Sequence, residues 1–131
     1  MPQDIHDLIV WNRAVELTVS VYKLTRRFPK EEVFGLISQM RRASVSVASN
    51  IAEGRGRLNP LEFRQFLGMA QGSLFELKTQ LIVTRKLGFA GAAELNEPEK
   101  LCEEVSKMLV SLINKLRPAK KVASRGLKAD G

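Results

Sequence analysis

The sequence predicts an all-α protein, an antiparallel up-down-up-down four-helix bundle. Apolar residues recur at three- and four-residue spacing along most of the 131-residue chain, and no useful stretch alternates with the two-residue period of a strand. Proline and glycine punctuate that pattern so that four long amphipathic segments remain. The connections between them are short, which favours antiparallel neighbours. A chain of this length makes one domain whose core is stable without disulfides. The bundle is placed at residues 1–116.

Helix one, about residues 8–28, turns Leu8, Trp11, Val15, Thr18, Tyr22 and Thr25 to one face. It stops at Phe28-Pro29, because proline restrains the residue before it. Helix two, about 31–54, opens with Glu31 and Glu32, and its inward face is Val33, Ile37, Met40, Ser44, Val47 and Ile51. Gly54 is expected to end it in the left-handed conformation.

Helix three, about 60–87, has the clearest start: Asn59-Pro60-Leu61-Glu62 supplies a cap, a proline at the first helical position and a capping glutamate. Leu58 and Phe63 are expected to form the accompanying hydrophobic staple. The face is Phe63, Phe66, Leu67, Ala70, Leu74, Leu77 and Leu81, and Arg85-Lys86 before Gly88 closes it. Helix four, about 97–117, starts at Asn96-Glu97-Pro98-Glu99, faces inward with Leu101, Val105, Met108, Leu112 and Leu116, and ends at Pro118. Residues 117–131 read as a basic, disordered tail.

The net charge of +7 divides unevenly. The tail holds five basic residues and one acid, so only +3 belongs to the bundle, which permits a basic face but not a strongly basic domain. Cys102, the lone cysteine, suits a reduced core or boundary residue. The start of the chain lacks the pattern of a signal peptide, and no apolar run approaches the roughly 18 residues of a membrane span. A cytoplasmic protein without a membrane partner is expected.

Small and polar residues interrupt helices two and three. Folded back on one another, these helices bring Asn50 towards Phe66, Ser46 towards Ala70 to Ser73, and Arg42 towards Glu76. A buried charge must be paired, so an Arg42–Glu76 bridge with Ser46, Asn50, Glu53 and Ser73 around it forms a structural polar seam. Gly72 lies in mid-helix, where close approach of another helix would compensate for its poor propensity. Met69, Phe75, Ile82 and Val83 extend the apolar surface of helix three beyond its core stripe. With Gly72 they suggest a subunit contact, scattered surface residues being the plainer account.

The turn Gly54-Arg55-Gly56-Arg57-Leu58-Asn59 offers an anion site, with Arg55, Arg57 and Arg64 near the free amides of helix three. It also reads as an ordinary turn with its arginines in water or bridged to Glu53 and Glu62. It is neither a P-loop nor a dinucleotide fingerprint. His6 is the only histidine, and no Glu-x-x-His motif occurs, which weakens nucleophile–histidine and multi-histidine metal chemistry. No catalytic residue, cofactor or metal is therefore expected, and the chain reads as non-enzymatic.

Together these residues resemble a known family, the four-helix-bundle proteins encoded by intervening sequences in bacterial 23S rRNA genes. The likeness covers about residues 7–116. It is carried by Val10-Trp11, Ala14, Tyr22-Lys23-Leu24-Thr25, Phe28-Pro29, Gln39, Arg41-Arg42-Ala43, Ser46 and Ser49-Asn50-Ile51-Ala52-Glu53-Gly54. It continues through Arg57, Phe66-Leu67, Ala70, Gly72-Ser73, Glu76-Leu77 and Thr79-Gln80-Leu81. The resemblance implies a ring-like homopentamer. It also implies kinship with the accessory protein of diversity-generating retroelements, a basic pentamer that associates with a reverse transcriptase and nucleic acid. The expected function is a homo-oligomeric scaffold that binds RNA or DNA through backbone phosphates, with Arg41, Arg55, Arg57 and Arg64 in contact. A nucleic-acid-processing protein is a further expected partner. The alternative is a protein-interaction adaptor that uses exposed apolar surface and no nucleic acid.

Overall fold

Four helices follow one another in the computed structural model, which describes residues 4–5 and 8–118. They are α1 (Ile9–Thr25), α2 (Leu36–Arg55), α3 (Pro60–Leu87) and α4 (Ala92–Lys115), with one 3-10 turn over Lys30–Glu32. Each helix packs on the next and α4 returns to α1, so the four axes stand at the corners of a square. The result is an antiparallel four-helix bundle. The tail beyond residue 118 and His6 lie outside the described residues.

α3 begins and ends where its local chemistry dictates. Asn59 Oδ1 accepts from the amides of Leu61 (2.7 Å) and Glu62 (3.4 Å), Pro60 occupies the first position, and Gly88 closes the helix at φ 74°. Leu58 is fully exposed, so the expected staple does not form.

The other boundaries move, each for a visible reason. α1 stops at Thr25, and Phe28 turns inward to meet the Phe89 ring at 5.5 Å. α2 starts at Leu36 rather than residue 31: the backbone breaks at Gly35, and Glu32 Oε1 takes the Leu36 amide at 3.1 Å. Val33, expected inside, is exposed, and Phe34 beside it is 92% exposed. α4 starts at Ala92 rather than residue 97, because Glu94 Oε1 accepts the Gly91 amide at 2.9 Å and caps the helix earlier. That bond, then the Glu94 backbone amide and lastly the charge of Arg27, hold the Glu94 carboxyl below its ordinary range. Pro98 therefore lies inside the helix, buried.

Burial corrects two further expectations. α1 faces inward with Val10, Ala14, Leu17, Val21 and Leu24, a rotation of about one residue from the stripe through Val15 and Tyr22. Gly54 does not end α2 in a left-handed turn; it is helical and buried, and only Gly88 has positive φ among the described residues. A Cβ on Gly54 would lie 2.7 Å from Phe66 Cβ and 2.9 Å from Phe63 Cδ1, so its missing side chain is what lets α3 approach.

Cys102 is buried, as expected of a small core residue. Burial pushes its thiol pKa up to about 12, so almost no thiolate exists at neutral pH. The expected outcome is that Ellman's reagent labels Cys102 in urea but not in the folded protein. Rapid labelling of native protein would contradict its placement.

Candidate functional site

The α2–α3 turn, the start of α1 and the end of α4 share one end of the bundle, because four antiparallel helices bring them there. Arg57 Nη2 donates to Glu53 Oε2 at 2.9 Å, and its guanidinium lies 4.8 Å from the centre of the Phe66 ring. Arg64 Nε donates to the Ile113 carbonyl at 3.1 Å, joining the start of α3 to the last turns of α4. Arg64 thereby adds a second donor to a last-turn carbonyl that the Leu116 amide also reaches, at 3.2 Å. Lys115 and Arg117 come to the same end.

Residues 53–64 contain three arginines and two glutamates, and α4 carries no acid after Glu104. One of those glutamates, Glu53, already pairs with Arg57. Asp4, just before α1, adds a third carboxylate at this end, so the cationic excess is modest and rests on guanidinium and ammonium groups alone. Asn59 occupies the Leu61 and Glu62 amides, as its reading as the cap of α3 implies, so these two donors are not open to an anion.

Arg41 does not join this group. It lies about 20 Å from Arg55 along α2 at the usual rise per residue. Its guanidinium stacks over Tyr22 at 4.5 Å, and its Nε donates to Thr25 Oγ1 at 2.9 Å. It helps fasten α1 to α2 near the other end.

The polar seam is smaller than expected. Ser46 Oγ and Ser73 Oγ meet at 2.8 Å across α2 and α3, and Asn50 Nδ2 donates to the Ser46 carbonyl (2.9 Å) and hydroxyl (3.0 Å). Arg42 and Glu76 form no ion pair: both are exposed, so neither charge demands a partner. Glu76 accepts instead from Gln80 Nε2 at 3.3 Å. Glu53 turns out to solvent and Arg57 rather than into the seam. Sequence reading missed Gln80, whose amide is buried with Oε1 unpaired. Its place one turn beyond Glu76 was the available signal.

On α3, Met69, Phe75 and Ile82 are each more than half exposed, and Gly72 has nothing within 4 Å of a would-be Cβ. No helix of the same chain approaches Gly72, which corrects the expectation of close packing there. Among the described residues no group of acids, cysteines and histidines is placed to hold a metal ion, and no helix is long and apolar enough to cross a membrane.

Comparison with known proteins bears on this arrangement. The family model described as 23S rRNA-intervening sequence protein matches residues 6–111. A similar solved structure is the crystal structure of a protein of unknown function from the S23 ribosomal protein family of Bacteroides thetaiotaomicron. It has a TM-score of 0.75 at 19% identity, covering 82% of this chain and 97% of that one. That likeness supports the fold. No curated protein matches the chain.

Proposed function

The chain belongs to the 23S rRNA-intervening sequence protein family, and from that premise we propose a non-enzymatic, cytoplasmic, homo-oligomeric scaffold that binds nucleic acid through backbone phosphates. The observation that supports this reading is the collection of Arg55, Arg57, Arg64, Lys115 and Arg117 at one end of the bundle, opposed by few carboxylates. Guanidinium groups grip phosphate oxygens in pairs, and such contacts carry no base preference. A single copy offers a modest charge. A ring of five, as the family resemblance implies, repeats that end around an axis and multiplies its field. The exposed Met69, Phe75 and Ile82 on α3 support self-association.

Fluorescence anisotropy with short labelled RNA and DNA over a salt series tests the reading. Sequence-tolerant binding is expected, with log K falling against log salt by about 0.9 for each duplex phosphate neutralised. Replacing Arg55 or Arg57 by alanine should reduce that slope by about 1 each, and reversing both charges should abolish binding. No binding by the assembled protein at about 50 mM salt, where such contacts are strong, would overturn the proposal.

A further inference from the structure

We propose that the groove between α1 and α2 receives an acidic amphipathic helix supplied by a different protein. The groove lies in the half of the bundle towards the α1–α2 connection, away from the arginine-bearing turn. It is a second surface, and it does not depend on the phosphate-binding reading.

Two hollows adjoin there. One, about 380 Å³, is lined by Tyr22, Val33, Ile37, Arg41, Arg42 and Val45 among others. The other, about 390 Å³, shares Val33, Ile37 and Arg41 with it and adds Phe28, Arg26 and Lys30. The shared walls make them one continuous cleft. Phe28 and Ile37 are buried at its base, while Tyr22, Val33 and Val45 leave apolar surface open, and Phe34 beside Val33 is almost wholly exposed.

Four cations stand around this apolar surface, and no carboxylate lines either hollow. Arg41 is fixed in advance: Nε donates to Thr25 Oγ1 at 2.9 Å, Nη2 donates to the Tyr22 carbonyl at 3.4 Å, and Nη1 is left to meet a carboxylate. Among the described residues Arg26, Lys30 and Arg42 enter no ion pair. Of the acids next along the chain, Glu32 is occupied by the Leu36 amide.

Charge complementarity selects the occupant. The chain's own residues 117–131 bring five bases and one acid, which the rim repels. A second copy has few carboxylates to offer from α4: Glu94, Glu99, Glu103 and Glu104 already pair with Arg27, Arg85, Lys78 and Arg13. A nucleic acid backbone would satisfy the cations and leave the valines, Ile37 and the Tyr22 ring uncovered. A helix with one apolar stripe and glutamates or aspartates beside it meets both demands, the helix-in-groove mode of recognition. Ile37 and Val45 are separated by about 12 Å along α2 at the usual rise per residue, close to the reach of an i, i+3, i+4, i+7 stripe.

Fluorescence polarisation tests this with a designed, labelled peptide of about fourteen residues, leucines at i, i+3, i+4 and i+7 and glutamates at most other positions. Micromolar binding is expected at physiological salt, about tenfold tighter than for a scrambled peptide of the same composition. Arg42→Glu and Val45→Asn, both at exposed positions, should each weaken it by about tenfold or more with unchanged circular dichroism. Arg55→Ala should leave peptide binding unchanged, which separates this groove from the proposed phosphate-binding end. Absence of binding, equal binding of the scrambled peptide, or full affinity in either groove variant would overturn the proposal. Displacement of the peptide by short single-stranded RNA would also overturn it, by assigning the groove to nucleic acid.

Discussion

Gly54→Ala destabilises the fold by about 1–3 kcal/mol, the range for an overfilled core, although alanine is the better helix former by about 1 kcal/mol. The added Cβ meets Phe66 Cβ at 2.7 Å, an atom fixed to the α3 backbone rather than the end of a flexible chain. The helices must part, and the contact they lose is the one that sets the α2–α3 turn and its arginines. Gly72→Ala, with open space around its Cβ, should shift stability the other way by up to about 1 kcal/mol. Urea midpoints at constant slope, compared at one protein concentration, measure both. Two glycine-to-alanine changes of the same sign would refute this assignment of close and open positions.

Leu74→Ala has a larger effect, about 2–5 kcal/mol, because it removes buried methyl groups and leaves a cavity that the helices only partly fill. Leu74 is fully buried in the middle of α3, which packs on both α2 and α4. A loss of that size is a large share of the roughly 5–15 kcal/mol by which domains are stable. Phe34→Ala deletes a bigger side chain and should change the urea midpoint little, since Phe34 is 92% exposed. Equal losses at Leu74 and Phe34 would contradict the burial pattern.

α3 was legible from sequence because its signals are local: a side chain that caps, a proline in first position and a glycine that accepts positive φ. α1 was harder, since Trp11, Val15, Val19 and Tyr22 give it apolar residues on several sides, and periodicity alone does not choose the inward one. Gly54 and Gly72 illustrate the same limit. Each is a glycine in a helical pattern, and only the position of the neighbouring helix tells close approach from open space. Arg42 and Glu76 matched in register but not in direction, a difference that depends on helix rotation. In the candidate site, the arginines of the turn could be read directly. The arrival of Lys115 and Arg117 depended on where α4 ends.

Pro98 gives the bundle an uneven response to thermal motion. Lacking an N–H, it leaves the Glu94 carbonyl without its usual helical donor, so the ladder of α4 is interrupted between its first turns and the remainder. The segment Ala92–Glu97 is held instead by the Glu94–Gly91 cap, the Arg27–Glu94 ion pair at 3.2 Å and the burial of Leu95. Those fastenings can release together while the rest of the helix stays formed. Opening of the α3–α4 connection therefore need not disturb the rest of α4 or the arginine-bearing turn at the opposite end of the molecule.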